Sequence, residues 1–320
     1  MSILDSIGQT PLVPMNSISQ GLDQPLWAKC EHLNPGGSVK DRIALAIVDR
    51  AEAEGLIHPG DTLVEATAGN TGIGLAIVAA VRGYSVLCVM PEKMSEDKRQ
   101  ALRALGAEVV ITENVPPGDP RHFQQVAERL AAQRPGHFWT DQFGNDANPQ
   151  VHAKTTAAEL WEQTEGKISA FVTGVGTGGT ITGVGRALKA LNPRVQIVLA
   201  DPLGSGLAGL VNEGKLGEDG SYLVEGIGSS QVPAVFDPSV VDFAVSISDA
   251  EGFAMTHRLV REEGLLVGGS SGFSVAAALK AMPQLHRLGA DGAVVALLQD
   301  SWDRYWSKLF NPEWEGSSLP

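Results

Sequence analysis

A chain of 320 residues, 43% hydrophobic and 19% charged, carries enough apolar material for two domains or one large α/β unit. Its formal net charge of −13 argues against nucleic acid or an anionic membrane as the main partner, since both require a basic surface. Two cysteines, Cys30 and Cys88, are too few for a disulfide framework. With no basic-then-apolar leader and no apolar run of about 18 residues, a soluble, cytoplasmic protein is expected.

Along the chain, β-rich apolar runs alternate with helical patterns. The turn Asn34-Pro35-Gly36-Gly37-Ser38 leads through Val39 and Lys40 into a helix over 43–53, where Ile43, Ile47, Val48 and Ala51 have helical spacing. A strand over 62–66, a Gly-rich turn over 68–72 and an apolar helix over 73–82 follow. Next come a strand over 85–90, a helix from Ser95 as N-cap to 105, the Gly106 stop and a strand over 108–112. Residues 114–121, with Pro116, Pro117, Gly118 and Pro120, read as a loop, as do residues 142–150. The alternation resumes with a strand over 169–173, a helix over 180–191, a strand over 195–200 and a helix over 249–263. A short strand over 265–267, a helix after Gly272 and a strand over 292–298 close it, and the tail 311–320 reads as loosely ordered. This alternation predicts an α/β fold of two lobes, each a mostly parallel twisted sheet flanked by helices.

Three Gly/Ser/Thr-rich turns, over 67–72, 174–180 and 268–272, each follow a predicted strand and open a helix. One such turn is an ordinary strand–helix connection; three together suit an anion, because glycines admit the ligand to the backbone and the helix dipole adds positive potential. Gly174-Val175-Gly176-Thr177-Gly178-Gly179 matches G-x-G-x-x-G, and Asp201 follows at about the distance of a ribose-binding acid. An NAD dehydrogenase reading leaves the other two turns without a role, whereas the Thr177 and Thr180 hydroxyls suit a compact single phosphate. Lys40, taken alone, is a surface lysine at a helix start. Beside a phosphate site it could form a Schiff base with a cofactor aldehyde and then shuttle a proton. The histidines (His32, His58, His122, His137, His152, His257 and His286) are scattered without metal-ligand spacing, so no metal site is expected. Gly269-Ser270-Ser271-Gly272 lacks the spacing of a hydrolase nucleophile elbow. The aromatics Trp302, Tyr305, Trp306 and Trp314 suit a packing or dimer surface.

Together, and with Ile7-Gly8-Gln9-Thr10-Pro11-Leu12 near the start, these motifs resemble those of the fold-type II pyridoxal-phosphate (PLP) enzymes of the cysteine synthase (O-acetylserine sulfhydrylase) and cystathionine β-synthase family. The resemblance runs to about Phe310. It implies PLP as cofactor, with Lys40 as the Schiff-base and catalytic lysine. It implies that Thr67, Gly69, Asn70 and Thr71 grip the substrate carboxylate, with Asn70 also facing the cofactor 3′-oxygen, and that Gln142 adds a second carboxylate contact. Gly176, Thr177, Gly178, Gly179 and Thr180 correspond to the phosphate cup, Ser270 to the partner of the pyridine nitrogen and Gly226 to a further substrate contact. The implied reaction is β-replacement on O-acetylserine or serine by way of an α-aminoacrylate, attacked by sulfide to give L-cysteine. The implied division is a smaller mobile substrate-loop domain over 40–148, a larger PLP-phosphate domain over 1–39 and 149–312, and a tail over 313–320. A homodimer is implied too, with serine acetyltransferase as a possible partner beside the small-molecule amino acid and sulfur nucleophile.

Gly36-Gly37 before Ser38, Asp201-Pro202, Val224-Glu225-Gly226-Ile227-Gly228 and Gly268-Gly269-Ser270 resemble cystathionine β-synthase more than cysteine synthase, which keeps homocysteine open as the nucleophile. Ser229 and Ala153 replace usual tyrosines, and Ala68 replaces a usual serine of the carboxylate loop. The resemblance covers the catalytic core, without a haem-binding extension or a regulatory pair of adenosyl-binding domains. Two rivals differ in outcome: a dehydratase-type lyase makes pyruvate and ammonia from serine alone, and a non-catalytic homologue shows a broken constellation. Lys40, Asn70, Gln142 and Ser270 are all present.

Overall fold

The structure, a computed structural model, describes residues 2–67, 69–92, 94, 96–116 and 118–314. In chain order, β1 (Leu12–Pro14) and β2 (Leu26–Cys30) are followed by α1 (Lys40–Ala53), β3 (Thr62–Ala66), α2 (Asn70–Arg82), β4 (Ser85–Pro91), α3 (Glu96–Ala104) and β5 (Glu108–Thr112). Then come α4 (Phe123–Gln133), β6 (His137–Trp139), α5 (Ala147–Val151), a π turn (His152–Thr156), α6 (Ala157–Gln163), β7 (Ile168–Thr173) and α7 (Gly179–Leu191). The chain continues through β8 (Gln196–Pro202), α8 (Leu207–Glu213), β9 (Phe243–Ile247), α9 (Asp249–Glu262), α10 (Gly269–Arg287) and β10 (Ala293–Leu298).

These elements form two compact units. The first holds Asn34–Asn148 with the segment ending at Ile7; the second holds Gly8–Leu33 and the chain from Pro149 onward. The resemblance divides the chain at residue 40 instead. The earlier boundary has a physical basis: Leu4 is buried in the first unit's core with Ile7 against it, and the Gly36 N–H donates to Asp41, tying the 34–39 turn to α1.

The first unit's sheet has the order β5-β4-β3-β6 with every pairing parallel. Side chains alternate between its faces, so both faces bury apolar residues. Leu63, Cys88 and Met90 pack with Val48, Leu75 and Leu102, while Val64, Leu87 and Val89 pack with Ala127 and Ala131 of α4. The second unit's sheet has the order β1-β2-β10-β7-β8-β9, antiparallel only between β1 and β2. Its central strands β7 and β10 are buried along their whole length. The parallel α/β architecture with flanking helices is the one the alternation predicts. Cys30 and Cys88 are both buried free thiols, and burial pushes the Cys30 thiol up to about 12.

Several elements differ from expectation. α1 starts at Lys40 and α2 at Asn70, each three residues earlier than the apolar spacing suggests. Part of the predicted loop over 142–150 is helical as α5, because Asn145 Oδ1 accepts the Ala147 N–H and starts the turn. The short strand over 265–267 reduces to one antiparallel bridge, Val267 with Ser301, and α10 begins at Gly269 rather than after Gly272. Of the tail, Trp314 packs edge-on against Phe253 at 5.7 Å, so residues up to it are anchored; residues 315–320 lie outside the described residues, as do Ala68, Ser95 and Pro117. Among the described residues no helix is long and apolar enough to cross a membrane.

Candidate active site

In the first unit, Ser38 shapes the approach to Lys40: its hydroxyl accepts the Lys40 N–H at 3.2 Å, and Lys40 is the half-buried first residue of α1. Gly74 lets α2 lie close to this turn, since a Cβ there would sit 3.1 Å from the Lys40 carbonyl oxygen. Gly72 does the same against β4, where a Cβ would meet Cys88 Sγ. The N-terminal turn of α2 therefore stands beside the start of α1. Thr67 Oγ1 accepts the Gly69 N–H at 3.0 Å, and Gly69, with φ 137°, turns the chain into α2.

Thr71, buried, donates its hydroxyl proton to Gln142 Oε1 at 2.7 Å. Gln142 Nε2 donates to Glu65 Oε1 at 3.2 Å and to the Ala66 carbonyl at 3.0 Å. Both amide hydrogens of Gln142 are thus engaged inside the unit. In this arrangement both amide hydrogens point into the unit and the amide oxygen faces Thr71. Lys40, Thr67, Gly69, Asn70, Thr71 and Gln142 all belong to this one unit.

The second unit gathers the other residues. The 174–180 turn follows β7 and opens α7, whose N-cap Gly178 has φ 89° and provides no side-chain cap. A Cβ at Gly178 would collide with Phe236, and one at Gly176 with the carbonyl oxygen of Gly226. The glycines here are required by the close approach of neighbouring chain. Gly226 is itself exposed with φ 86°, and the Gly228 N–H donates to Val175 O at 2.8 Å, which fastens the 224–228 segment to the turn. Thr177 Oγ1 accepts the Gly179 N–H at 3.4 Å, and Thr180 Oγ1 lies 3.1 Å from His152 Nε2. Ser270, in the first turn of α10, is buried.

The helices after the three Gly-rich turns, α2, α7 and α10, lack a side-chain N-cap bond, as do α1, α4, α6 and α8. α9, by contrast, has a complete Ser248/Glu251 capping box. An uncapped first turn leaves main-chain N–H donors for an anion. The uncapped glycine-rich turn at the start of α7 fits a phosphate monoester, and the Ser270 hydroxyl fits a ring-nitrogen acceptor. The donor set therefore suits PLP.

Sequence reasoning passes over three residues of this framework. Glu65 is a lone carboxylate in an otherwise apolar strand, and that interruption is its signal. Thr140 carries no motif. His152 is one scattered histidine until the fold sets it between Thr180 and Thr156, whose hydroxyl lies 2.9 Å from Nδ1.

Comparison with known proteins agrees with the geometry. A cystathionine beta-synthase of Apis mellifera is 45% identical over 315 residues, spanning 98% of this chain but 62% of that protein. A cysteine synthase of Staphylococcus aureus is 42% identical over 310 residues, covering 96% of this chain and 95% of its own. Among solved structures, an O-ureido-L-serine synthase superposes with a TM-score of 0.87 at 39% identity, covering 99% of this chain and 97% of its own. The family model for pyridoxal-phosphate dependent enzymes matches residues 3–300, and the chain belongs to that family.

Proposed function

We propose that the chain catalyses β-replacement on O-acetylserine or serine, with sulfide as the nucleophile and L-cysteine as the product. The observation that carries this reading is Lys40 at the first position of α1, whose main chain lies against Gly74 of α2, the helix that the Thr67–Thr71 turn opens. A lysine on the helix packed against the one whose uncapped start offers N–H donors suits an enzyme that takes a proton from the α-carbon of an amino acid.

Each residue has a role in that chemistry. The Gly176–Thr180 turn would hold the PLP phosphate, Ser270 the ring nitrogen and Asn70 the 3′-oxygen, with Lys40 Nζ as the covalent attachment. When bound, PLP supplies the electron sink for bond cleavage at Cα and Cβ. Thr67, Gly69, Asn70 and Thr71 take the substrate carboxylate at the uncapped start of α2, and Gln142 holds Thr71. Gly226, exposed beside the phosphate turn, contacts substrate at the rim. With its place on the cofactor taken by the substrate amine, the freed Lys40 amine would receive the Cα proton, acetate or hydroxide would leave Cβ with its bonding pair, hydrosulfide would form the new C–S bond, and Lys40 would return the proton to Cα.

Sulfide is preferred because the position of a usual tyrosine is held by Ser229, whose hydroxyl turns back to donate to Gln231 O at 2.6 Å. A specific observation favours homocysteine as the second reading: Glu225, beside Gly226, is ion-paired with Lys308, and relatives named cystathionine beta-synthase match nearly all of this chain. Incubating the PLP-loaded protein with O-acetylserine or serine, and with sulfide or homocysteine, separates these by product mass. Cysteine is expected; cystathionine in excess selects the second reading. Pyruvate formed equally with and without nucleophile makes the protein a lyase, and no turnover of either amino acid refutes β-replacement.

A further inference from the structure

β3 is an apolar run with one carboxylate, Glu65, fully buried and in register with Cys88 of β4. A carboxylate in that place is costly unless donors meet it. Thr140 Oγ1 at 2.5 Å and the Gln142 N–H at 3.2 Å reach its Oε2, and Gln142 Nε2 reaches Oε1. No ion pair engages it among the described residues. A pair of apolar side chains would fill the same space at less cost, so what distinguishes Glu65 is its pattern of acceptors.

That pattern has a consequence at the substrate turn. A glutamine amide has a donor end and an acceptor end, and only its environment decides which way each points. Glu65 and the Ala66 carbonyl present acceptors, which draws Nε2 toward the sheet. Oε1 is then turned outward, where it takes the Thr71 hydroxyl proton at 2.7 Å. The chain Glu65–Gln142–Thr71 thus runs from a buried strand to the first turn of α2, entirely within one unit.

We propose that Glu65 is a positioning residue for the amino-acid substrate: by orienting the Gln142 amide it pins Thr71, and with it the α2 turn that receives the substrate carboxylate. This role rests on the function proposed above. It makes Gln142 an intermediary between Glu65 and the substrate turn, and it gives Thr140, which donates to Glu65, a smaller part in the same chain.

The test is calorimetric binding of L-serine to the PLP-loaded full chain, for the wild type, Glu65→Gln and Thr140→Val, alongside kcat and KM. Glu65→Gln sets a second amide against Gln142 and releases its orientation. The dissociation constant and KM are expected to rise about tenfold in Glu65→Gln and about threefold in Thr140→Val. kcat should change by less than about threefold, and the visible band of the bound cofactor should keep its position. Unchanged serine affinity in both folded variants would overturn the role, as would a fall in kcat with affinity intact. If Glu65→Gln does not fold, Thr140→Val decides alone. A wild-type chain that loads PLP yet binds neither L-serine nor O-acetylserine refutes the proposed function itself, a result distinct from equal binding by wild type and variants.

Discussion

The turn between β3 and α2 and the turn between β7 and α7 share a plan but are held differently. Each joins a parallel strand to a 13-residue helix through a glycine N-cap with positive φ and no side-chain cap. In the second unit the turn is walled by main chain and a ring: Gly176 lies against the Gly226 carbonyl and Gly178 against Phe236. In the first unit the atoms nearest a Cβ at Gly69 belong to the Lys98 side chain, and Thr71 is held by a relay of side chains ending at Glu65. A cup with rigid walls suits a group that is always the same, as the phosphate of a resident cofactor is. A turn held by side chains suits a ligand that enters and leaves at every turnover. On the proposed function, similar local sequence would serve retention in one unit and exchange in the other.

The comparison can be broken by substitutions that should separate retention from exchange. Lys40→Ala should have the largest effect, a loss of kcat of about 10³-fold or more, while the phosphate turn still retains PLP by absorbance after gel filtration. Gly178→Ala comes next. Its Cβ would collide with Phe236 at a backbone φ of 89°, so PLP content after dialysis should fall about tenfold or more. Thr71→Val should do the reverse, raising KM for the amino acid about tenfold with PLP content unchanged; a loss of PLP there would erase the distinction between the turns.

His152→Gln should weaken PLP binding by about threefold, measured by cofactor titration, because its contact with the Thr180 hydroxyl reaches the phosphate turn, whereas the one with Thr156 lies within the π turn. The smallest effect is on stability. Burial pushes the Glu65 carboxyl up to about 7 and the Asp201 carboxyl up to about 6. A carboxyl raised on folding binds its proton more tightly in the folded state, so its contribution is fully present below the ordinary carboxylate value and is lost as pH rises through the folded value. Thermal unfolding should show the second unit losing stability as pH rises from the ordinary aspartate value to about 6, and the first as pH rises from the ordinary glutamate value to about 7, with no further loss from these groups above. Glu65→Gln should flatten the second of these steps. The ionisable neighbours Cys88 and Asp141 are themselves held up by burial, so neither relieves Glu65.

Much of this was legible in the sequence because it is local. Strand–turn–helix alternation needs only apolar spacing and glycines, and it locates β3, α2, β7 and α7 within a few residues. The motifs around Lys40, Asn70 and Gly176 are contiguous, so they read directly. β1, β6 and β9 are edge strands with little periodicity to detect, and β2, buried at four of its five positions, does not alternate either. The partners that fix the site come from far along the chain. Glu65 meets Thr140 across 75 residues, and Thr180 meets His152 across 28, through pairings that only the fold creates. For the same reason the sequence suggests a direct ligand contact for Gln142, while the structure shows its donors already engaged by Glu65 and Ala66.

The central claim is that Lys40 is the residue that carries PLP. Borohydride reduction of the loaded protein, followed by peptide mass spectrometry, tests it most directly. The account predicts one pyridoxyl adduct, on the peptide containing Lys40. An adduct on another lysine such as Lys29 or Lys98, with Lys40 unmodified, would contradict it.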